Sequence, residues 1–496
     1  MSYSWHRDRG AAGVFGIMLG LFLGLLIAAI VMPRRQPERE VSESGDRSVV
    51  AGDLGGTGEG AGPSVATQDG AGGNGNALTT GTGTGSGAAT SGGTSSAGVA
   101  GAGAGAAVRG VTDDKIRVGV TYPDISVLRA LGPSYDNGDV PKQWEALVDG
   151  WRRSRVLPVH GRDIELVFAD YNVLQPEEQR SACVAVVQDG RAFMVIAQTY
   201  YLIGAECVAR EFRTPLITSD GPNDPIFQRS HPMLFSLQMS EDRVLRNLIH
   251  WADSKGFLDG KQVGIYYEDR PDVRDQMSRT VKAELARLGH DLTAEATTTQ
   301  TLGGPRDAVA VQQFQANGVD VALLFTSKGG FMQQAQAQRY KPVYLESDHL
   351  FGTSDTTTST YPVEQFDGTL GFTGRRVGET SAGMALDAEG RACVANYERF
   401  ANEKLQQETT EWAYVLTVCD LGKALMCALT AAGRELSHGG VVAGLETMRN
   451  VGMNRYAPVT FTPQKHHGVD SYRELRWHGA CKCWRVAGPF RPLLVP

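Results

Sequence analysis

The sequence has no excess of positive charge. Its 48 lysines and arginines are outnumbered by 55 aspartates and glutamates, which gives a net charge of −7 and an isoelectric point near 5.9. A nucleic-acid-binding surface requires a basic patch or stripe, and the sequence contains no such cluster. We therefore expect no nucleic-acid partner.

The sequence also lacks the motifs of the common enzyme classes. It contains no HExxH, no GxSxG, no GxxxxGK[ST], and no GxGxxG between a predicted strand and a predicted helix. The glycine repeats at residues 81–87 lie in low-complexity sequence, where a motif match carries no information. We predict no catalytic function and no cofactor.

Aromatic residues are absent from residues 51–110, which instead contain 21 of the 60 glycines. Such a segment cannot bury enough apolar surface to offset the entropy of ordering it. We predict a disordered tether over residues 33–110. A flexible chain of about 70 residues has a root-mean-square reach of about 45 Å.

Residues 10–32 form an uncharged, largely apolar run of 23 residues with arginines on both sides. This length suffices to cross a bilayer and exceeds the apolar region of a cleavable signal peptide. We predict a single-pass membrane anchor after a short cytosolic tail, residues 1–9, and keep the signal peptide as the alternative. The flanking charges are balanced and do not determine the orientation.

All seven cysteines lie beyond the predicted tether. Cys183 and Cys207 lie on predicted helices on either side of one strand, so we predict a disulfide and an oxidising, extracytoplasmic location. Cys393 and Cys419 are a second candidate pair. The alternative is that these cysteines are buried thiols. The spacing Cys-x-Cys at the end of the chain is too short for a usual zinc site, and we expect no metal.

Residues 193–225 have the pattern of a parallel sheet. Two apolar runs, 193–197 and 215–218, are each followed by small polar residues, and a helix-like segment lies between them. Ligands of parallel sheets bind in the crevice beyond the carboxyl ends of the strands. We predict that the two turns form one wall of a ligand cleft.

The same alternation of strands and helices continues along the chain and restarts near residue 242. Two consecutive runs contain too many strands for one comfortable open sheet, which favours an α/β protein with two Rossmann-like lobes. We assign the first lobe to about residues 111–238 and 369–452, and the second to about residues 242–366 and 456–490. The chain is thus expected to cross between the lobes more than once.

The opening of the globular part, VTDDKIRVGVTYP at residues 111–123, resembles that of type I periplasmic solute-binding proteins. These are the branched-chain amino-acid binding group of ABC transporters. The similarity covers about residues 111–490, including the order of strands, the cysteine pairs and the Thr-Ser-Asp-Gly turn. It implies two lobes joined by three hinge strands, closure on a ligand in the cleft, and no catalysis.

The resemblance implies that the ligand carboxylate meets hydroxyls and backbone N–H groups of the first lobe. The corresponding residues follow the third strand and the fourth strand: Gln198, Thr199, Tyr200, Ser219, Asp220 and Gly221. From the residues alone, Thr199 is equally an ordinary N-cap and Ser219-Asp220-Gly221 an ordinary turn.

In the second lobe, the resemblance implies an acid that holds the ligand ammonium, with Glu346 and Asp348 as candidates. The chain departs from the family at Asp269 and Lys328, so a polar or charged ligand is as plausible as leucine. Tyr122 and Tyr267 are candidates for the cleft or for packing at the hinge. The acidic residues and Lys328 have solvent-exposed surface positions as their alternative.

Two functions remain open. In the first, the chain captures a small polar solute, such as an amino acid or amide, and delivers it to an ABC permease. In the second, it is an anchored extracytoplasmic sensor or accessory receptor whose closure is read by a partner protein. The resemblance favours transport, and the predicted anchor favours sensing.

Overall fold

Two β-sheets organise the part of the chain that the computed structural model describes. That part comprises residues 108–125, 136–172, 175–199, 201–299 and 304–496, which all belong to the unit Ser96–Pro496. The predicted membrane segment, and the predicted tether up to residue 107, lie outside the described residues and stay predictions.

The first sheet is entirely parallel. Its strands are β1 (Lys115–Asp124), β2 (Asp163–Asn172), β3 (Met194–Ala197), β4 (Leu216–Thr218) and β5 (Leu234–Ser236). The helices between them are α1 (Val140–Arg153), α2 (Pro176–Val184), α3 (Leu202–Glu206) and α4 (Asp224–Ser230). The strand order is β2-β1-β3-β4-β5, which confirms the predicted βαβ pattern.

The strands of the first sheet are apolar because helices cover both of its faces. Every residue of β3 and β4 is buried. Val195 packs into the cluster beneath α2 and α3, whereas its neighbour Ile196 packs into the cluster that contains Trp144 of α1. This layering leaves the carboxyl ends of the strands as the edge where polar turns emerge.

The second sheet continues the chain with mixed pairing. Its strands are β6 (Val263–Glu268), β7 (Leu292–Thr298), β8 (Val321–Leu324), β9 (Val343–Glu346), β10 (Leu370–Thr373), β11 (Ser471–His478), β12 (Cys483–Val486) and β13 (Arg491–Pro492). Its helices are α5 (Glu241–Ser254), α6 (Pro271–Met277), α7 (Ala283–Leu288), α8 (Pro305–Ala316), α9 (Lys328–Ala337), α10 (Asp355–Thr358) and α11 (Val363–Phe366). The order is β12-β11-β10-β9-β8-β6-β7, parallel from β7 to β10 and antiparallel beyond, with β13 beside β11.

Three helices return to the first sheet: α12 (Ala388–Ala401), α13 (Thr410–Ala432) and α14 (His438–Leu445). The Asn396 side chain of α12 donates to the backbone carbonyl of Ala146 in α1 at 2.8 Å. At Gly422 of α13, an added Cβ would lie 2.4 Å from the side chain of Leu147 in α1. The first lobe therefore consists of the first sheet, α1–α4 and α12–α14, and the second lobe holds the remaining elements.

The chain crosses between the lobes three times, at residues 237–240, 374–387 and 446–470. More than one crossing was predicted above. One boundary was wrong: β10, assigned to the first lobe, belongs to the second sheet, because Leu370 and Gly371 pair with Leu345 and Glu346 of β9. A strand pattern alone does not indicate which sheet the strand joins.

The last long strands of the chain form a hairpin, in which β11 pairs with β12. His466 and His467 instead lie beside β5, where the carbonyl of His466 accepts a hydrogen bond from the N–H of Ser236 at 2.9 Å. Residues 446–470 are thus a crossing rather than a strand pair.

Three disulfides connect the cysteines. Cys183–Cys207 joins the end of α2 to the residue after α3 with a Cα–Cα distance of 6.2 Å, and Cys393–Cys419 joins α12 to α13 at 6.4 Å. Both predicted pairs are confirmed. Cys481 and Cys483, for which no pairing was predicted, form the third disulfide and close the turn of the β11–β12 hairpin. Cys427 has a free thiol.

Within the described residues, α13 is the helix that is long and apolar enough to cross a membrane by length and composition. Its apolar side chains, among them Leu421, Leu425 and Leu429, are buried in the core of the first lobe. A mostly buried core helix passes the same test, so α13 is weak evidence for a membrane span.

Acid is predicted to destabilise the fold through His467. Burial, reinforced by Arg243 and Lys465, lowers the pKa of His467 to about 3, well below the value of about 6.5 for an exposed histidine. The neutral ring is therefore favoured in the fold, and its contribution to stability is present above pH 6.5 and lost as pH falls towards 3. Between pH 7 and pH 5 the loss should be about 2 kcal/mol.

Urea unfolding at pH 7 and pH 5 measures this loss. His467→Gln should reduce the difference between the two free energies of unfolding. An equal pH dependence in His467→Gln and the unmodified chain would contradict the assignment.

Candidate functional site

The two predicted turns of the first lobe are in direct contact. The N–H of Thr199, after β3, donates to the Ser219 hydroxyl at 3.2 Å, and the N–H of Ser219, after β4, donates to the carbonyl of Ala197 at 3.1 Å. Thr199 has a φ of 26°, a strained value for a β-branched residue. The two strand ends thus present one continuous polar surface.

The Gln198 side chain has no hydrogen-bond partner among the described residues. The residue is fully buried, and neither its amide oxygen nor its amide nitrogen finds a hydrogen-bond partner in the described part of the chain. A buried polar group without a partner costs about 1–3 kcal/mol. The carboxyl ends of such strands are where open α/β sheets bind ligands.

Four tyrosines surround Asp220. Its carboxylate accepts a hydrogen bond from the N–H of Tyr201 at 3.3 Å. Burial is the largest cause of raised pKa values for Tyr171, Tyr414 and Tyr456, and the Asp220 charge adds to it. The pKa of Tyr414 rises to about 12, so these phenols stay protonated at neutral pH and can donate hydrogen bonds.

The three crossings converge on the carbonyl of Ser219. From the first crossing, the Gln238 side chain donates to this oxygen, and from the third, the Tyr456 hydroxyl donates to it at 3.3 Å. From the second, Arg375 Nε donates to the Gln238 amide oxygen at 3.3 Å. A Cβ at Gly221 would come within 1.9 Å of the Met239 carbonyl, so the turn and the first crossing touch through their backbones.

Arg375 places a positive charge beside these turns. Its guanidinium lies over the Phe351 ring at 5.3 Å, and no carboxylate among the described residues forms an ion pair with it. A second guanidinium is near. Burial lowers the pKa of Arg455 and the Arg375 charge lowers it further, while Glu408 opposes both effects. Arg375 and Arg455 thus place two positive charges near these turns, with Glu408 as an opposing negative charge.

The second lobe contributes a buried ion pair. Lys328, at the start of α9, lies 2.5 Å from the Glu346 carboxylate at the end of β9 and also donates to the His349 carbonyl at 3.0 Å. The side chains are only 5% and 2% exposed. Burial raises the pKa of Glu346, and the Lys328 charge opposes that shift.

The remaining predicted residues lie apart from this cluster or at its edge. Asp348 accepts from Thr373 at 2.6 Å and from the N–H of Gly374 at 2.8 Å, so it organises the second crossing. The Tyr267 hydroxyl donates to Glu295 on the neighbouring strand β7. Its phenol therefore points to a structural partner rather than to the turns.

Asp269 is an exposed partner of Arg274, and Tyr122 packs edge-on against Phe168 of β2 at 6.4 Å. Neither contacts the cluster around Ser219. Tyr200 lies outside the described residues. A ligand role for any of the predicted residues stays a prediction.

Several residues of the cluster were missed by the sequence analysis. Gln238 and Arg375 each follow a strand, at a crossing, and a polar side chain directly after a strand was the signal that could have found them. Tyr414 and Tyr456 come from a helix and from the third crossing, far along the chain, and no local pattern marks them.

Two other features are separate from the cluster. A cavity of about 970 Å³ lies between α1, α12 and α13, and its lining includes Trp151, Met426 and the Cys393–Cys419 disulfide.

Asp253, Asp259 and His290 bring possible metal-ligand atoms within 4.8 Å of one another at the surface. Exposed acidic groups of this kind are common on protein surfaces without a metal.

Comparison with known proteins identifies the architecture. The family model described as periplasmic binding protein matches residues 115–482. A branched-chain amino acid ABC transporter protein from Thermus thermophilus with bound valine is 13% identical, with a TM-score of 0.59, covering 76% of this chain and 97% of that one.

A solute-binding protein from R. palustris in complex with 4-hydroxybenzoate is 14% identical, with a TM-score of 0.58, covering 77% and 98%. A leucine-binding protein from Thermotoga maritima is 13% identical, with a TM-score of 0.58, covering 76% and 99%. At these identities the likeness concerns the fold alone. No curated protein matches the chain.

The ion pair generates a stability prediction. Glu346→Gln leaves Lys328 buried without a counter-charge, so we expect a loss of about 3–5 kcal/mol in the free energy of unfolding. Asp269→Asn is the control, because it breaks an exposed pair and should cost less than about 1 kcal/mol. Urea unfolding measures both variants, and equal, small losses would show that the pair is not buried as described.

Proposed function

The chain belongs to the periplasmic binding protein family, a family of extracytoplasmic solute-binding proteins, and on this premise we propose that its two lobes close on a small polar solute in the crevice between them. We propose further that the chain is anchored in the membrane by residues 10–32 and delivers the solute to an ABC importer. It performs no chemistry on the solute.

The observation that supports a ligand at this place is the Gln198 side-chain amide, which has no partner in the part of the chain that the structure describes. It lies at the carboxyl end of a central parallel strand, next to the contacting turns at Thr199 and Ser219. Crevices at such strand ends are where open α/β sheets bind ligands. The similar structures named above contain valine and 4-hydroxybenzoate, so solutes of that size are reasonable candidates.

The crossings support closure of the lobes. Three connections join the sheets, and each sends one side chain to the neighbourhood of the Ser219 carbonyl. Hinge closure usually depends on a few residues at the ends of helices and strands, whose backbone dihedral angles change. The first-lobe turns and the hinge therefore respond together to a bound solute.

Solute capture predicts a rise in melting temperature. A ligand that binds only the native state stabilises it by about 2.7 kcal/mol at one hundred times its dissociation constant. The full chain in detergent, screened against amino acids, amides, sugars and organic anions, should show a concentration-dependent shift for at least one class. Thr199→Val and Ser219→Ala should weaken that shift, and Ser181→Ala, on the exposed face of α2, should not.

Import and sensing predict different effects of deleting the chain on uptake of the solute. We favour import because the family serves transporters, and the alternative is an anchored sensor or receptor that acts through a partner protein. Uptake of the stabilising solute by cells with and without the chain separates the two. Import predicts loss of uptake on deletion and restoration on re-expression, whereas unchanged uptake would favour the sensor.

A further inference from the structure

The acid of the second lobe is already neutralised from within the protein. Lys328 Nζ lies 2.5 Å from Glu346 Oε2, and the backbone at Gly352 covers the pair. A Cβ at Gly352 would lie 2.0 Å from the same carboxylate oxygen and 2.5 Å from Nζ. The carboxylate is therefore enclosed by its own lysine and by backbone.

A ligand ammonium cannot use Glu346 without a penalty. To do so it would have to displace Lys328, whose Nζ also donates to the His349 carbonyl, and leave that charge buried without its partner. Breaking a buried pair by removing one partner is strongly destabilising. The wall that contains Glu346 thus disfavours a solute that brings its own cation.

Arg375, unlike Lys328, has no ion-pair partner among the described residues. Its Nε contacts a neutral amide, that of Gln238, and Arg455 adds a second positive charge nearby. Three negative groups lie in the surroundings: Asp220 accepts from the N–H of Tyr201, Asp348 accepts from Thr373 and the N–H of Gly374, and Glu408 acts on Arg455. A carboxylate on the solute would give Arg375 the ionic partner that the described protein groups do not.

We propose that the solute is a carboxylic acid anion without an α-ammonium group, held through its carboxylate by Arg375, and that Lys328 excludes amino acids by occupying Glu346. This inference rests on the proposed function, since it assumes that a solute enters the crevice. The two cations have distinct roles. Arg375, at the hinge, selects for the anion, and Lys328, in the second lobe, selects against the ammonium.

Matched ligands test the proposal on the full chain in detergent by thermal shift and calorimetry. The probes are 4-methylpentanoate, 3-phenylpropanoate and phenylacetate, each compared with its α-amino acid and with its neutral amide. We expect at least one carboxylate to bind at least tenfold more tightly than both of its matched analogues. An amino acid that binds as tightly as its deamino analogue would overturn the inference.

Variants separate the two roles. Arg375→Gln keeps a donor for Gln238 and should weaken carboxylate binding at least tenfold while leaving binding of the neutral amide unchanged. Lys328→Met removes the internal cation and should raise the affinity of the amino acid relative to its deamino analogue at least tenfold. Arg434→Gln, an exposed arginine after α13, should change neither. Equal loss of carboxylate and amide binding in Arg375→Gln would refute the charge pairing, even if Lys328→Met does not fold.

The thermal-shift screen distinguishes the failure of this inference from the failure of the proposed function. Shifts with sugars or amides but with none of the carboxylates would refute the carboxylate assignment and leave solute binding intact. The absence of a shift with any solute in the screen would refute both.

Discussion

The carbonyl oxygen of Ser219 is the point on which the geometry of the crevice depends. A backbone carbonyl has two lone pairs, and here Gln238 and Tyr456 donate to it from two different crossings. Arg375 reaches the same place through the Gln238 amide. Because these residues belong to segments that connect the lobes, the position of one first-lobe turn is tied to all three connections.

This arrangement couples recognition to the hinge. A solute that contacts Thr199 or Ser219 touches the turn that the crossings hold, and a solute that contacts Arg375 touches a crossing directly. The second-lobe wall differs from the hinge, because Lys328 and Glu346 form an ion pair with each other and the backbone at Gly352 covers that pair. Under the proposal, selection for an anion resides in the hinge, and exclusion of an ammonium resides in the second lobe.

Much of the fold could be predicted from the sequence because parallel sheets produce strong local signals. The buried runs of β3 and β4, and the helices on either side that carry Cys183 and Cys207, gave the βαβ layout and the disulfide. The lobe of β10 could not be predicted, since its apolar pattern suits either sheet.

The site was predicted less completely, for a physical reason. The turns after β3 and β4 are local features, whereas Arg375, Tyr414 and Tyr456 reach the same crevice only through the crossings and the helical return. Lys328 was recognised as a possible cleft residue or surface lysine. Its pairing with Glu346 depends on the adjacency of β8 and β9, which residue types alone do not specify.

The most direct test of this account is a crystal structure of the protein with the carboxylate that stabilises it most. We predict the solute in the crevice, its carboxylate within hydrogen-bond distance of the Arg375 guanidinium, polar contacts to the turns at Gln198 and Ser219, and an intact Lys328–Glu346 pair. A solute bound outside this crevice, or a ligand cation on Glu346 with Lys328 displaced, would contradict the account.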